Sequence, residues 1–134
     1  MVNYIKNHKI KNSVVAKAIK EALSSTVCRG KVGAVLFTDC GRIITSAHNA
    51  CFYGHIEEDK FTVHAEEYCI AKFLKIKGNK RFAKSGKLNL LVVRYRPVSN
   101  SLAIAKPCPK CEFLLEKANL NVYYTNDNSE IVAL

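Results

Sequence analysis

No run in this chain approaches the roughly 20 apolar residues that a membrane-spanning helix needs, and Met1 to Lys11 lack the apolar core of a secretory leader. Both absences predict a cytoplasmic protein without a membrane partner. The sequence also lacks internal repeats, low-complexity segments and Pro-, Gly- or Ser-rich linkers, so residues 1–134 read as a single domain. It has no Gly-rich phosphate-cradling loop. Acidic residues are missing from two long stretches. Met1 to Lys20 has five lysines and no acid, and between Glu67 and Glu112 eleven basic residues (Lys72, Lys75, Lys77, Lys80, Arg81, Lys84, Lys87, Arg94, Arg96, Lys106, Lys110) again meet no acid. With 21 Lys and Arg against 11 Asp and Glu, the formal charge is +10. Such a field attracts anions, so a phosphate-bearing ligand or a nucleic acid is a candidate partner; a solvated basic face accounts for the same charge.

What is present is an ordinary globular composition, 49% hydrophobic and 24% charged, enough for one core. Ser13 is a candidate N-cap for a helix whose Val14, Val15, Ala18, Ile19, Ala22 and Leu23 recur on one face. Val32–Phe37 reads as a buried strand, Thr38-Asp39-Cys40-Gly41 as a hairpin turn and Arg42–His48 as the returning strand, with a polar loop from Asn49 to Thr62. Val63–Lys77 has helical spacing and stops at Gly78-Asn79. Leu88–Tyr95 is the most strand-like run in the chain. Cys108–Ala118 predicts a short helix with Pro109 in its first turn, Leu120–Tyr124 a strand, and Ile131–Leu134 a final edge strand. The order α-β-β-α-β-α-β-β implies a mixed sheet with helices packed on it. The short turn Asn126–Ser129 cannot hold the roughly dozen residues of a parallel crossover, so the last two strands should pair antiparallel.

Two short motifs concentrate the chemistry, His64-Ala65-Glu66 and Pro107-Cys108-Pro109-Lys110-Cys111, each at the start of a predicted helix. Cys108 and Cys111 project from one face of a first turn, where the helix dipole favours thiolates. With His64 they form a three-ligand set that leaves one tetrahedral position open, as catalytic rather than structural zinc sites do. Glu66, two residues past His64, reaches a metal-activated water without binding the metal itself. This is the H-x-E…P-C-x-x-C constellation of zinc deaminases.

On these motifs, and on Cys28-Arg29-Gly30-Lys31-Val32-Gly33-Ala34-Val35, Gly41-Arg42-Ile43-Ile44 and Ala47-His48-Asn49, the chain resembles the cytidine/deoxycytidylate deaminase superfamily from about Ser13 to the end. The resemblance implies a three-layer α/β/α fold on a mixed five-stranded sheet. It implies Zn2+ on His64, Cys108 and Cys111, with Glu66 as the catalytic proton carrier. It also implies that Asn49 hydrogen-bonds the sugar or base, that Ala65 offers its backbone N–H to the base carbonyl, and that Pro107 counts among the substrate contacts. His64 as first ligand is similar to deoxycytidylate, tRNA-adenosine, guanine and yeast-type cytosine deaminases. By contrast, Leu91-Val92-Val93 leading to PCPKC, and the ending Val122-Tyr123-Tyr124-Thr125-Asn126-Asp127, look like the free-nucleoside enzymes. The expected activity is therefore deamination of a free cytosine nucleoside or nucleotide in pyrimidine salvage, by a homo-oligomer (dimer or tetramer). The alternatives are a base within RNA or single-stranded DNA, favoured by the charge, or another free base or nucleoside such as guanine or adenosine.

The remaining residues carry weaker signals. Six cysteines without a leader read as metal ligands plus free thiols rather than disulfides. Cys69 is the nearest candidate for a fourth, closing ligand, but it lies around the helix from His64 and reads as a core residue. A second metal on Cys40, His48, Cys51 and His55 matches no strong spacing template. Phe52, Tyr53 and His55 are candidate pocket walls or loop packing. Arg94 and Arg96 follow a buried strand on one side of it, placed to hold a phosphate, a neighbouring subunit, or neither. Sparse aromatics outside the expected core argue against a single-strand stacking platform, and the retained Glu66 argues against a non-enzymatic deaminase-like fold.

Overall fold

The computed structural model describes residues 4–7, 9–25, 30–53, 60–75, 88–117 and 119–134. The elements run α1 (Asn12–Leu23), β1 (Lys31–Thr38), β2 (Ile43–His48), β3 (Ala50–Tyr53), β4 (Lys60–Val63), α2 (Ala65–Lys75), β5 (Leu88–Arg96), β6 (Ser101–Ala103), α3 (Pro109–Lys117), β7 (Asn121–Thr125) and β8 (Ile131–Ala133). The fold turns on β1 and β5, which pair antiparallel along their lengths, Lys31 opposite Tyr95 through Thr38 opposite Leu88. Both are near-continuous apolar runs because both of their faces are covered. Leu88, Leu90 and Val92 pack with Ala34, Leu36, Phe73 and Leu115 on the side of α2 and α3; Leu91, Val93 and Tyr95 pack with Val14, Val15, Ala18 and Ala22 of α1 on the other. The result is the expected three-layer α/β/α arrangement.

The five strands read from the sequence form the path β2-β1-β5-β7-β8, and a short sixth, β6, pairs antiparallel with the end of β5. The sheet is mixed: β5 and β7 are parallel, Asn89 opposite Asn121, and β7 and β8 are antiparallel, as the short turn between them requires. Thr125, fully buried, ties three strands together. Its Oγ1 donates to the Ala103 carbonyl at 2.7 Å and accepts the Arg94 N–H at 3.3 Å, while its own carbonyl accepts the Ala105 N–H at 2.8 Å.

Several elements depart from the sequence reading. The polar loop expected from Asn49 to Thr62 contains an antiparallel hairpin of its own, β3 with β4, Ala50 opposite Val63. Four-residue strands are too short to show a periodic pattern, although Phe61, Thr62 and Val63 are strand-favouring types. β6, three residues long, escaped for the same reason. Helix α1 begins at Asn12, and Lys11, which has extended backbone (φ −67°, ψ 147°), holds the capping position without a side-chain bond. Ser13 therefore lies within the first turn and is not the cap. Val63 closes β4 rather than opening α2. His8, Cys28, Arg29, His55, the Gly78-Asn79 stop and the basic residues from Lys77 to Lys87 lie outside the described residues.

Candidate metal centre and cleft

Two helix starts converge in the layer that holds α2 and α3. His64 and Cys108 each immediately precede a helix, and the carbonyl of each accepts the first helical N–H, from Tyr68 at 3.0 Å and from Glu112 at 2.8 Å. The ligating residue types thus occupy equivalent positions on two helices, with their side chains in the same gap. His64 Nδ1 lies 3.2 Å from Cys111 Sγ and 3.7 Å from Cys108 Sγ, and one donor atom from each of the three residues falls within 4.8 Å of the others. Among the described residues this is the sole His/Cys/Asp/Glu cluster able to hold a metal ion.

The donor set fits zinc, two sulfurs and an imidazole with room for a further ligand. Burial first, then the Glu66 carboxylate, pushes the Cys111 thiol pKa up, the reverse of the lowering expected from a helix N-terminus. A thiolate at that position has to be held by a positive charge, and a metal ion supplies one. Cys69 takes no part. It is buried, its Sγ lies 3.9 Å from the Thr45 carbonyl, and burial raises its pKa to about 12, so it is the core residue the sequence implied.

Glu66, in the first turn of α2, is 6% exposed, and burial raises its carboxyl above its ordinary value of 4.5. It lines a cleft of about 320 Å³ with His64, Ala65, Cys108, Asn49, Gly30, Val32, Arg94, Ile104, Ala105 and Lys106. A buried carboxyl with elevated proton affinity beside the His64, Cys108 and Cys111 donors can accept and return a proton.

Asn49 is brought here by the hairpin: Ala50 faces Val63 across β3 and β4, so the residues just outside that pair, Asn49 and His64, are neighbours. The Asn49 side chain is anchored to the approach to β1. Its Oδ1 accepts from Ser25 Oγ at 2.6 Å and from the Val32 N–H at 2.9 Å, and its Nδ2 donates to the Gly30 carbonyl at 2.8 Å. Pro107 is buried between two lining residues, Lys106 and Cys108.

The two arginines of β5 part company. Arg94 lines the cleft, whereas Arg96 is exposed and pairs with Asp127 at 3.0 Å. A shared metal on Cys40 and His48 is excluded by register: Phe37 faces Ile43 beside the Cys40 turn, while His48 faces Gly33 at the far end of the pair. His48 bonds Glu21 instead, at 2.9 Å. The side chains of Cys51, Phe52 and Tyr53 lie outside the described set.

Sequence reasoning passed over Glu67. Its Oε1 stands 4.0 Å from both Cys111 Sγ and His64 Nδ1, and its Oε2 lies 3.7 Å from Lys110 Nζ, an ion pair joining the two helix starts. The available signal was its i,i+3 spacing from His64.

The family profile for the cytidine and deoxycytidylate deaminase zinc-binding region matches residues 8–125. Among solved structures, dCMP deaminase from the cyanophage S-TIM5 aligns with a TM-score of 0.65 at 24% identity, covering 91% of this chain and 86% of that one. The same phage enzyme in complex with dCMP and dUMP aligns at 0.63 and 23%, covering 92% and 85%. Cytidine deaminase from Burkholderia pseudomallei aligns at 0.62 and 17%, covering 96% and 92%. No curated protein sequence matches the chain.

Proposed function

Because this chain belongs to the cytidine and deoxycytidylate deaminase zinc-binding family, we propose that it hydrolytically deaminates a free cytosine nucleoside or nucleotide, giving the uracil form and ammonia. The observation that supports this most directly is the buried Glu66 beside the His64, Cys108 and Cys111 tripod, in a cleft sized for a small molecule. Those three residues would hold a zinc ion, which would supply Lewis-acid activation of water. Glu66 moves the protons: it takes one from the attacking water and delivers it to the ring nitrogen, then carries the proton of the newly formed C–OH to the amino group, which leaves as ammonia when the C–N bond breaks. Ala65, through its backbone N–H, Asn49 and Pro107 are the proposed substrate contacts. Asn49 does so from a side chain already locked to Gly30 and Val32, which gives it one orientation. The reading includes a dimer or tetramer, which the exposed Leu74 and Phe113 on α2 and α3 support; light scattering tests it.

The decisive experiment is ammonia release from cytidine, deoxycytidine, their monophosphates, adenosine, guanine and a C-containing single-stranded oligonucleotide. One cytosine monomer should turn over. Glu66→Gln should lower kcat by about 10²- to 10⁴-fold with metal content unchanged. Turnover of the oligonucleotide alone would replace this reading with nucleic-acid editing, the alternative that the +10 charge favours.

A further inference from the structure

Building on the cytosine reading, we propose that Arg94 forms an anion subsite in this cleft and that the substrate carries a 5′-phosphate monoester there. On β5 the residues facing α2 and α3 are Leu88, Leu90, Val92 and then Arg94, so a guanidinium closes an otherwise apolar row. A half-buried cation in that position is costly unless something offsets it. Among the described residues no carboxylate pairs with it, although Arg96, two positions on, has Asp127.

The guanidinium lies against Gly30. A Cβ placed on that glycine would touch Arg94 Nε and Nη2 at 3.4 Å, and Gly30 adopts φ +66°, where a side chain is disfavoured. The Gly30 carbonyl in turn accepts from Asn49. The cleft is therefore graded. The metal tripod and Glu66 stand at one part, Asn49 adjoins them through the β3–β4 register, and Arg94 follows across Gly30, matching base, sugar and phosphate in that order. Lys106 adds a second cation to the same lining. A phosphate monoester carries close to two negative charges near neutral pH, a match for two cations. A diester within a nucleic-acid chain carries one. Arginine's planar fork suits bidentate phosphate recognition.

Deoxycytidine, cytidine and their 5′-monophosphates would be compared as substrates of the wild-type protein and of Arg94→Gln, Arg94→Lys and Lys106→Gln. Inorganic phosphate would be titrated calorimetrically into each. The monophosphate should be preferred, and Arg94→Gln should reduce the monophosphate-to-nucleoside ratio of kcat/KM by about 10- to 100-fold, chiefly through KM, as expected for a lost charge-assisted bond. Arg94→Lys should recover part of that ratio, and phosphate binding should weaken in parallel. If Arg94→Gln does not fold, Arg94→Lys and Lys106→Gln serve in its place, each with a smaller fall. Equal use of nucleoside and monophosphate, an unchanged ratio in folded variants, or preference for an oligonucleotide lacking a terminal phosphate would overturn the proposal. If no cytosine compound is deaminated, the reaction assignment fails and the phosphate titration judges the subsite separately: Arg94-dependent binding supports it, and no binding at millimolar phosphate overturns it.

Discussion

Glu21, near the end of α1, has its two carboxylate oxygens taken by different residues of β2. Ser46 Oγ donates to Oε1 at 2.7 Å, and His48 Nδ1 lies 2.9 Å from Oε2. Burial alone would raise its pKa, but these bonds together outweigh burial and hold it below the ordinary 4.5. A carboxyl whose pKa is lower in the folded than in the unfolded state contributes stability above the unfolded value, and that stability is lost as pH falls through the folded one. Glu21→Gln should therefore cost about 1 kcal/mol near neutral pH. Urea midpoints should also fall less steeply below pH 4.5 in the variant than in the wild type. Steeper acid destabilisation in the variant would contradict the assignment. Nothing in the sequence pairs Glu21 with β2, because residues 21, 46 and 48 meet only when the helix lies across the strand. His64, Glu66, Cys108 and Cys111 are different, since each is fixed within its own motif and readable before any fold is known.

Helix α1 lies so close on β1 that a Cβ at Gly33 would fall 2.2 Å from the Ala18 carbonyl oxygen and 2.6 Å from the Ala22 nitrogen. Both neighbours are backbone, so the helix itself would have to lift. Gly33→Ala should cost about 1–3 kcal/mol, read from thermal or denaturant unfolding, and a neutral result would mean that α1 can shift without cost. The larger elements were legible because their apolar patterns are long: the α1 stripe, and the β1 and β5 runs covered on both sides. The β3–β4 hairpin and β6 were not, since three or four residues carry no period and their pairing is set by partners elsewhere in the chain. Yet β3–β4 is the element that places Asn49 beside His64, so a short, unreadable piece of structure orders the cleft.

Across the whole molecule, the metal tripod joins two segments distant in sequence, the start of α2 and the start of α3, and Glu67 with Lys110 adds an ion pair between them. Metal bound only by the folded chain stabilises it by mass action. Chelation should lower the Tm by roughly 10 °C, while His64→Ala should show the lowered Tm with or without chelator. An unchanged wild-type Tm on complete metal removal, verified by elemental analysis, would show that the tripod contributes nothing to stability. Sequence alone determined the donor set, the carboxyl that stands beside it and the layer architecture, because local motifs and long apolar runs encode them directly. Tertiary structure decided which cations face the cleft. Arg94 and Arg96 stand on the same side of one strand and are equivalent by pattern, but the sheet leaves the first beside Gly30 in the cleft and carries the second past its edge to Asp127.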